Sequence, residues 1–249
     1  MRLEGRVAIV TGGARGMGKT FCLKMAEEGA KVVVADVLDR EAKQTAKEIQ
    51  SKGGEALAVQ TDVSSEVDTQ RMANKAVEAF GGIDILVNNA GMLAGLTRKP
   101  FTEIPLEEWD KVIAVNVKGV LLCCRAVFSQ MKKQGNGKII NISSNAFFGG
   151  SPNSVHYVTS KAGVIAITRC LANEVAQYGI CVNSVAPGVV ETEATRDLTE
   201  LRKVTLANTP LGRLAQTGDV AGAIIFFASD DSNFVTGQTL IVDGGRRMH

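Results

Sequence analysis

The chain has 249 residues, 45% of them hydrophobic, enough to bury a substantial core, and one large domain over 1–249 is the default expectation. Its 28 basic residues nearly balance 26 acidic ones, for a net charge of +2, and no Lys/Arg run interleaved with aromatics marks a nucleic-acid binder. The N-terminal apolar run in MRLEGRVAIVTGG is far too short for a signal peptide or a membrane span, so a cytoplasmic protein without a membrane partner is expected. Five cysteines (22, 123, 124, 170 and 181) without a C-x-x-C, and only two histidines, leave no metal-ligand spacing and no disulfide framework. These cysteines read as small apolar residues on helix faces and one strand.

The first predicted strand, RVAIVTG, runs into the loop TGGARGMGKT, Thr11 to Thr20. Two readings compete there. From Gly13 to Thr20 the loop satisfies the P-loop pattern, in which Lys19 meets the terminal phosphates and Thr20 a magnesium ion. From Thr11 to Gly18 it satisfies a dinucleotide-binding turn, in which glycines admit a pyrophosphate to the start of a helix near Met17. Taken alone the loop does not choose between them.

KVVVAD, the second strand, ends on Asp36, eighteen residues after Gly18. That is close to the spacing at which a carboxylate takes the ribose hydroxyls of NAD. A carboxylate there opposes the 2′-phosphate of NADP, although Arg15 and Arg40 offer that phosphate partners; an aspartate merely ending a strand is the plainer alternative. An amphipathic helix over Glu41–Lys52 then leads to the strand ALAVQTD, and a second over Glu66–Phe80 to IDILVNNAG. A long helix over Leu106–Lys133 follows, carrying Asn116, whose amide must find partners if buried. Next come the strand KIINISS, ending near Ser144, and a helical stretch opened by VHYVTSKAG. ICVNSVAPG and TLIVDGG close the series.

The strands are continuously apolar rather than alternating, as strands buried on both faces are. Strand and helix alternate throughout, with turns at Gly29, Gly53, Gly81, Gly135 and Gly179. The expected fold is therefore α/β and doubly wound: a parallel sheet with helices on both faces and right-handed crossovers. Ligands of such sheets sit outside the carboxyl ends of the strands, where strand order reverses. The suspicious side chains fall just after strands.

Tyr157 and Lys161 lie four apart, on one helix face. At about 4 Å and an effective dielectric of about 20, an ammonium favours a tyrosinate by roughly 4 kcal/mol. That predicts a phenol lowered from about 10 to about 7, the range in which a general acid–base works. Ser144, thirteen residues earlier, offers a hydroxyl to a substrate oxygen, and Asn116 an amide that can tie a water to Lys161. Each alone is ordinary: a surface Tyr-x3-Lys pair, a turn serine, a helix-interior asparagine. His156, the only internal histidine, is turned about 100° from the Tyr157/Lys161 face. No G-x-S-x-G elbow supports a serine hydrolase.

With these residues assembled, the sequence resembles the short-chain dehydrogenase/reductase family, over about residues 5 to 245. TGGARGMG is similar to its glycine turn, NNAG (88–91) to its motif after the fourth strand, and Tyr157-x3-Lys161 with Ser144 and Asn116 to its catalytic set; PGVVET (187–192) and the ending TGQTLIVDGG are also similar. The resemblance implies a Rossmann-type sheet of seven strands, a homotetramer, and hydride transfer between NAD and a small secondary alcohol or ketone. It assigns proton exchange to Tyr157, lowering of the phenol's pKa to Lys161, orientation of the substrate oxygen to Ser144 and a relay water to Asn116. It implies cofactor contacts from Gly12, Arg15, Gly16, Met17 and Gly18, from Asp36 and Val37, and from Asp62 and Val63 beside the adenine. Asn89, Ala90 and Gly91 are implied beside the ribose, Tyr157 and Lys161 at the nicotinamide end, and Pro187, Gly188, Val190 and Thr192 at the carboxamide. The segment MLAGLTRKPF after NNAG is longer than in many relatives and bears on the pocket mouth. Substrate walls are expected from Met92–Pro105, Asn145–Val155 and the segment after Thr192. Leu93, Leu96, Phe147, Phe148 and Val155 favour an apolar, cyclic or aromatic substrate, while Glu193 and Arg196 select a polar group. An NADP-dependent 3-oxoacyl-carrier-protein reductase shares the motifs and is the alternative that Asp36 opposes.

Overall fold

The computed structural model describes residues 1–248. Strand and helix alternate as expected: β1 (Val7–Thr11), α1 (Gly16–Glu27), β2 (Lys31–Asp36), α2 (Asp39–Ser51), β3 (Ala56–Gln60), α3 (Glu66–Phe80) and β4 (Ile85–Asn88) form the first half. The second half comprises α4 (Leu106–Ile113), a π-helical turn (Ala114–Lys118), α5 (Gly119–Gln134), β5 (Gly137–Ile142), a short α6 (Ala146–Gly149), α7 (Val155–Val175), β6 (Ile180–Pro187), α8 (Thr199–Ala207), α9 (Thr217–Ala228) and β7 (Thr239–Val242). The seven strands make one sheet in the order β3-β2-β1-β4-β5-β6-β7, and every pairing is parallel. This is a Rossmann-type α/β fold with helices on both faces.

Why the strands read as unbroken apolar runs is visible in β1. Ala8 and Val10 point into a core shared with Phe21 and Met25 of α1 and Ile224 of α9. Ile9, between them, points to the opposite core with Met72 of α3, Val127 of α5 and Val164 of α7. Alternate residues of one strand thus serve two apolar layers, so no position is left for a polar side chain. Each fully buried side chain of this size contributes about 1.5–3 kcal/mol. Three cysteines serve the same packing, Cys22 in one layer and Cys123 and Cys124 in the other, whereas Cys170 is exposed and Cys181 half-buried. The continuous helix Leu106–Gln134 is long and apolar enough to cross a membrane by composition, but half of its most apolar stretch is buried inside the protein, where α5 packs beside α3.

Strand order reverses between β1 and β4, which pair with each other while their following loops diverge. The two loops are locked at their bases. Thr11 Oγ1 accepts hydrogen bonds from Asn89 N and Ala90 N, each at 3.1 Å, and the Asn89 amide donates to Thr11 O (2.9 Å) and Gly12 O (3.0 Å). The glycines follow from this closeness. A Cβ on Gly12 would stand 2.9 Å from Ala90 Cα, and one on Gly18 would collide with Gly12 O. Gly12 and Gly16 also adopt left-handed backbone, with φ of 64° and 56°. Gly13, a free position in the dinucleotide pattern, is equally constrained, since a Cβ there would meet Val34 Cγ1 at 2.9 Å.

Candidate active site

A cleft of ≈ 420 Å³ opens at the carboxyl ends of the strands. Gly12, Arg15, Gly16, Met17 and Gly18 form its floor from the first loop, and Asp36 and Val37 close one end. Asp62 and Val63 enter after β3, and Asn89, Ala90 and Gly91 after β4. At the other end stand Ser144, Tyr157 and Lys161, with Pro187, Gly188, Val190 and Thr192 after β6. Of the catalytic and cofactor-contact residues implied by the family resemblance, only Asn116 is absent from this wall. Leu38, Thr61, Val115, Ile142 and Ser143 also line it; they are neighbours of motif residues, with no chemical signal of their own.

The Asp36 carboxylate is 8% exposed and fixed from behind. Oδ2 accepts from Ala14 N and Oδ1 from Leu38 N, each at 3.0 Å. Each carboxylate oxygen keeps further acceptor capacity, so a vicinal diol presented in the cleft would find two oriented acceptors. The backbone cradle fits a nicotinamide dinucleotide. The P-loop arrangement is not formed. Lys19 Nζ lies 2.8 Å from Glu48 Oε2, and Thr20 Oγ1 donates to Thr217 Oγ1 at 2.9 Å, so both side chains serve helix packing away from the cleft.

At the far end, Ser144 hydrogen-bonds the Tyr157 phenol, and its Oγ accepts from Ala146 N at 3.2 Å. Lys161 is 6% exposed; its Nζ donates to Ile142 O at 2.8 Å and lies 5.9 Å from the centre of the Tyr157 ring. Burial lowers its pKa to about 8. The expectation of a phenol near 7 is overturned by this geometry. Burial holds Tyr157 above its ordinary value, against the opposing influence of the Ser144 hydrogen bond and the Arg98 guanidinium. The amine donates to a strand carbonyl rather than forming a direct hydrogen bond with the phenol. Both groups also share one desolvated wall, which disfavours charge on each.

Asn116 occupies the π-helical turn and is 1% exposed. Its Oδ1 accepts from Met92 N (2.7 Å), and its Nδ2 donates to Met92 O (3.2 Å) and Ser160 Oγ (3.0 Å). The amide therefore pins the chain just after NNAG rather than facing the cleft. A Cβ on Gly91 would stand 3.3 Å from Asn116 Oδ1 and 3.5 Å from Lys161 Nζ, so these two atoms approach the same point. His156 is fully buried with Nε2 2.9 Å from Glu108 Oε1, off the cleft wall as its helical angle predicts.

Of the apolar residues expected at the substrate end, Leu93 lines the cleft together with Met92 and Ala94. Leu96, Phe147, Phe148 and Val155 do not. The two phenylalanines meet edge to face at 5.2 Å on α6, whose Gly149 is covered by the Arg247 guanidinium. Glu193 lines the cleft and Arg196 does not. Glu191 is tied to Arg202 of α8 at 2.6 Å and to Gln216, fixing the segment after β6.

Comparison with known proteins places the chain among oxidoreductases. A family described as enoyl-(acyl carrier protein) reductase matches residues 12–247. The chain is 42% identical over 250 residues to (2S)-((R)-hydroxy(phenyl)methyl)succinyl-CoA dehydrogenase subunit BbsD of Thauera aromatica, covering 100% of this chain and 99% of that one. It is 41% identical over 246 residues to the 3-oxoacyl-(acyl-carrier-protein) reductase FabG of Thermotoga maritima, covering 98% and 99%. Among solved structures, levodione reductase superposes with a TM-score of 0.93 at 30% identity, covering 98% of each chain. A short-chain type dehydrogenase/reductase from Mycobacterium marinum superposes with a TM-score of 0.94 at 34% identity, covering 99% and 97%.

The buried amine gives a stability prediction. Because the folded pKa of Lys161 (about 8) lies below its ordinary value of 10.5, the unfolded chain binds more protons between those values, and the contribution to stability rises with pH there. Urea unfolding of the cofactor-free protein should show the wild type gaining on Lys161→Met from pH 8 to pH 10, by up to about 3 kcal/mol. Parallel stability curves for the two proteins would contradict a desolvated lysine.

Proposed function

The chain belongs to the short-chain dehydrogenase/reductase family, and on that premise we propose that it transfers a hydride between NAD(H) and the carbon of a secondary alcohol or ketone. The observation that carries this reading is the convergence of Ser144, Tyr157 and Lys161 on one wall of a cleft whose other end holds the anchored Asp36 carboxylate. A nicotinamide held along the cleft supplies or accepts the hydride. Gly12, Gly16 and Gly18 admit its pyrophosphate, Asp36 takes the adenosine ribose hydroxyls, and Pro187 to Thr192 border the nicotinamide end.

In reduction, the Tyr157 phenol donates its proton to the substrate oxygen as that oxygen gains negative charge. In oxidation, the tyrosinate takes the proton from the alcohol. The Ser144 hydroxyl donates to the same oxygen and holds it beside the phenol. Both donors are positioned before the charge develops, which is where such groups stabilise a transition state most. The Lys161 amine keeps two of its hydrogens free of the bond to Ile142 O, and these serve a cofactor ribose or a water shared with Asn116 Oδ1. A phenol raised by burial stays protonated at neutral pH, which suits the reductive direction; a cationic nicotinamide favours the tyrosinate and suits the oxidative one. A cytoplasmic setting and a homotetramer belong to the same proposal and rest on the family resemblance alone.

A second reading has specific support. Relatives named as 3-oxoacyl-(acyl-carrier-protein) reductases are about as similar as the dehydrogenase subunit. Their chemistry is the same carbonyl reduction, so the two readings differ in cofactor and acyl carrier rather than in the Tyr157 step. Asp36 favours NAD because its carboxylate would face a 2′-phosphate with like charge at a desolvated site. With a panel of secondary alcohols, kcat/KM for NAD should exceed that for NADP; the opposite preference would move the assignment to the reductase reading. Tyr157→Phe should lower kcat by about a hundredfold to ten-thousandfold while NADH binding persists. Near-normal turnover in that variant would remove the phenol from the mechanism.

A further inference from the structure

Arg98 lies in the long segment after β4, beyond the cleft-lining Met92, Leu93 and Ala94. Its Nη1 donates to Ser154 Oγ at 3.2 Å, and Ser154 is the residue that precedes α7. Tyr157 is three residues further along, a rise of about 4.5 Å along the helix. Among the described residues no carboxylate stands within ion-pair distance of Arg98, although its sequence neighbour Lys99 pairs with Glu103 at 3.6 Å and Arg202 pairs with Glu191. An exposed arginine is ordinarily a solvated side chain with no fixed position. This one is braced from two sides. Glu108 of α4 accepts from Thr97 N at 3.0 Å and from Thr97 Oγ1 at 3.1 Å, fixing the chain immediately before Arg98. The same carboxylate holds His156 at 2.9 Å, immediately before Tyr157. The segment bearing the guanidinium and the helix bearing the phenol are therefore clamped to one acid. The guanidinium is close enough to favour the phenolate.

We propose that Arg98 is a specificity-determining residue that grips a carboxylate carried by the substrate, so that the enzyme acts on a keto acid or hydroxy acid with an apolar body against Met92 and Leu93. The guanidinium has its planar fork engaged by one neutral hydroxyl, leaving donors that match a carboxylate in two-point fashion. Its attachment to Ser154, three residues before Tyr157, limits the anion to one borne by the reacting molecule itself. The phosphate of a pantetheine carrier arm stands much further from a reacting carbonyl and would bypass this position. Ser154 holds one arm of the guanidinium at the start of α7, and the apolar Met92 and Leu93 set which part of the substrate lies between the two polar ends.

The inference rests on the proposed carbonyl chemistry of this cleft, and the experiment separates the two. Wild type, Arg98→Gln and Arg98→Lys are assayed with benzoylpropionate, its methyl ester and acetoacetyl-CoA, and benzoylpropionate binding to the NADH complex is measured by calorimetry. Arg98→Gln should raise KM and Kd for the acid by about tenfold or more, the loss of one charge-assisted hydrogen bond, with little change for the ester or the CoA thioester. Arg98→Lys should restore part of the preference for the acid. An unchanged acid-to-ester ratio in Arg98→Gln, or acid binding unaffected by it, overturns the carboxylate grip. Impairment confined to acetoacetyl-CoA also overturns it, assigning Arg98 to a carrier phosphate. Loss of NADH binding by the wild type, or full activity of Tyr157→Phe, would instead overturn the cleft's proposed function.

Discussion

Two ionisable groups on the same wall, a half-buried phenol and a buried amine, govern the chemistry available to this cleft. Burial disfavours charge on both, raising Tyr157 and lowering Lys161 to about 8. The wall therefore resists becoming a tyrosinate–ammonium pair by itself. Additional positive charge must be supplied from outside, and the cleft is arranged to receive it. Ser144 and Arg98 already press the phenol towards ionisation, and Pro187 and Gly188, proposed to border the nicotinamide, line the same cleft. On the proposed function, acid–base competence is conditional on cofactor, which would keep a reactive tyrosinate from persisting without a hydride acceptor.

The fold makes this wall possible by separating structural demands from chemical ones. Most of the sheet interior is committed to apolar packing on both faces, with Lys138, Asn141, Asn183 and Ser184 as buried polar exceptions within β5 and β6, and the cleft residues fall at strand ends. There the reversal of strand order between β1 and β4 opens a crevice without breaking any ladder. Most of the glycine requirement is met by the protein's own backbone: Gly12 and Gly18 are needed because the first loop, the start of α1 and the Asn89 side chain touch one another. Gly16 differs, with nothing nearer to an added Cβ than Thr192 Cγ2 at 3.8 Å, and its left-handed φ alone restricts it.

All seven strands and the long helices up to α7 were legible in the sequence because each has a strong periodic signal and a turn residue at its boundary, whereas α6, α8 and α9 were not singled out. The strand-end residues were legible for a related reason: a parallel sheet leaves few places for a buried polar group. What escaped was three-dimensional. The hydrogen-bond partner of Lys161 is the Ile142 carbonyl, which carries no side-chain signal and which spacing alone did not suggest. Asn116 was found by its burial requirement, yet its attachment to Met92 depends on a widened helical turn that no residue type announces. Phe147 and Phe148 looked like pocket walls because they are aromatic, but they stack on each other on α6. Arg98 escaped because an arginine in a loop is unremarkable until its missing counter-charge and its Glu108 brace are seen in space.

The coupling between cofactor and phenol is the central claim, and its titration tests it most directly. The chain has two tyrosines, so subtracting the tyrosinate absorbance of Tyr157→Phe from that of the wild type isolates one phenol. Measured against pH without dinucleotide, that phenol should ionise above the ordinary tyrosine range; with saturating NAD it should ionise at distinctly lower pH. Superimposable curves in the two conditions, or a phenol already ionised near neutrality in the free protein, would contradict the account.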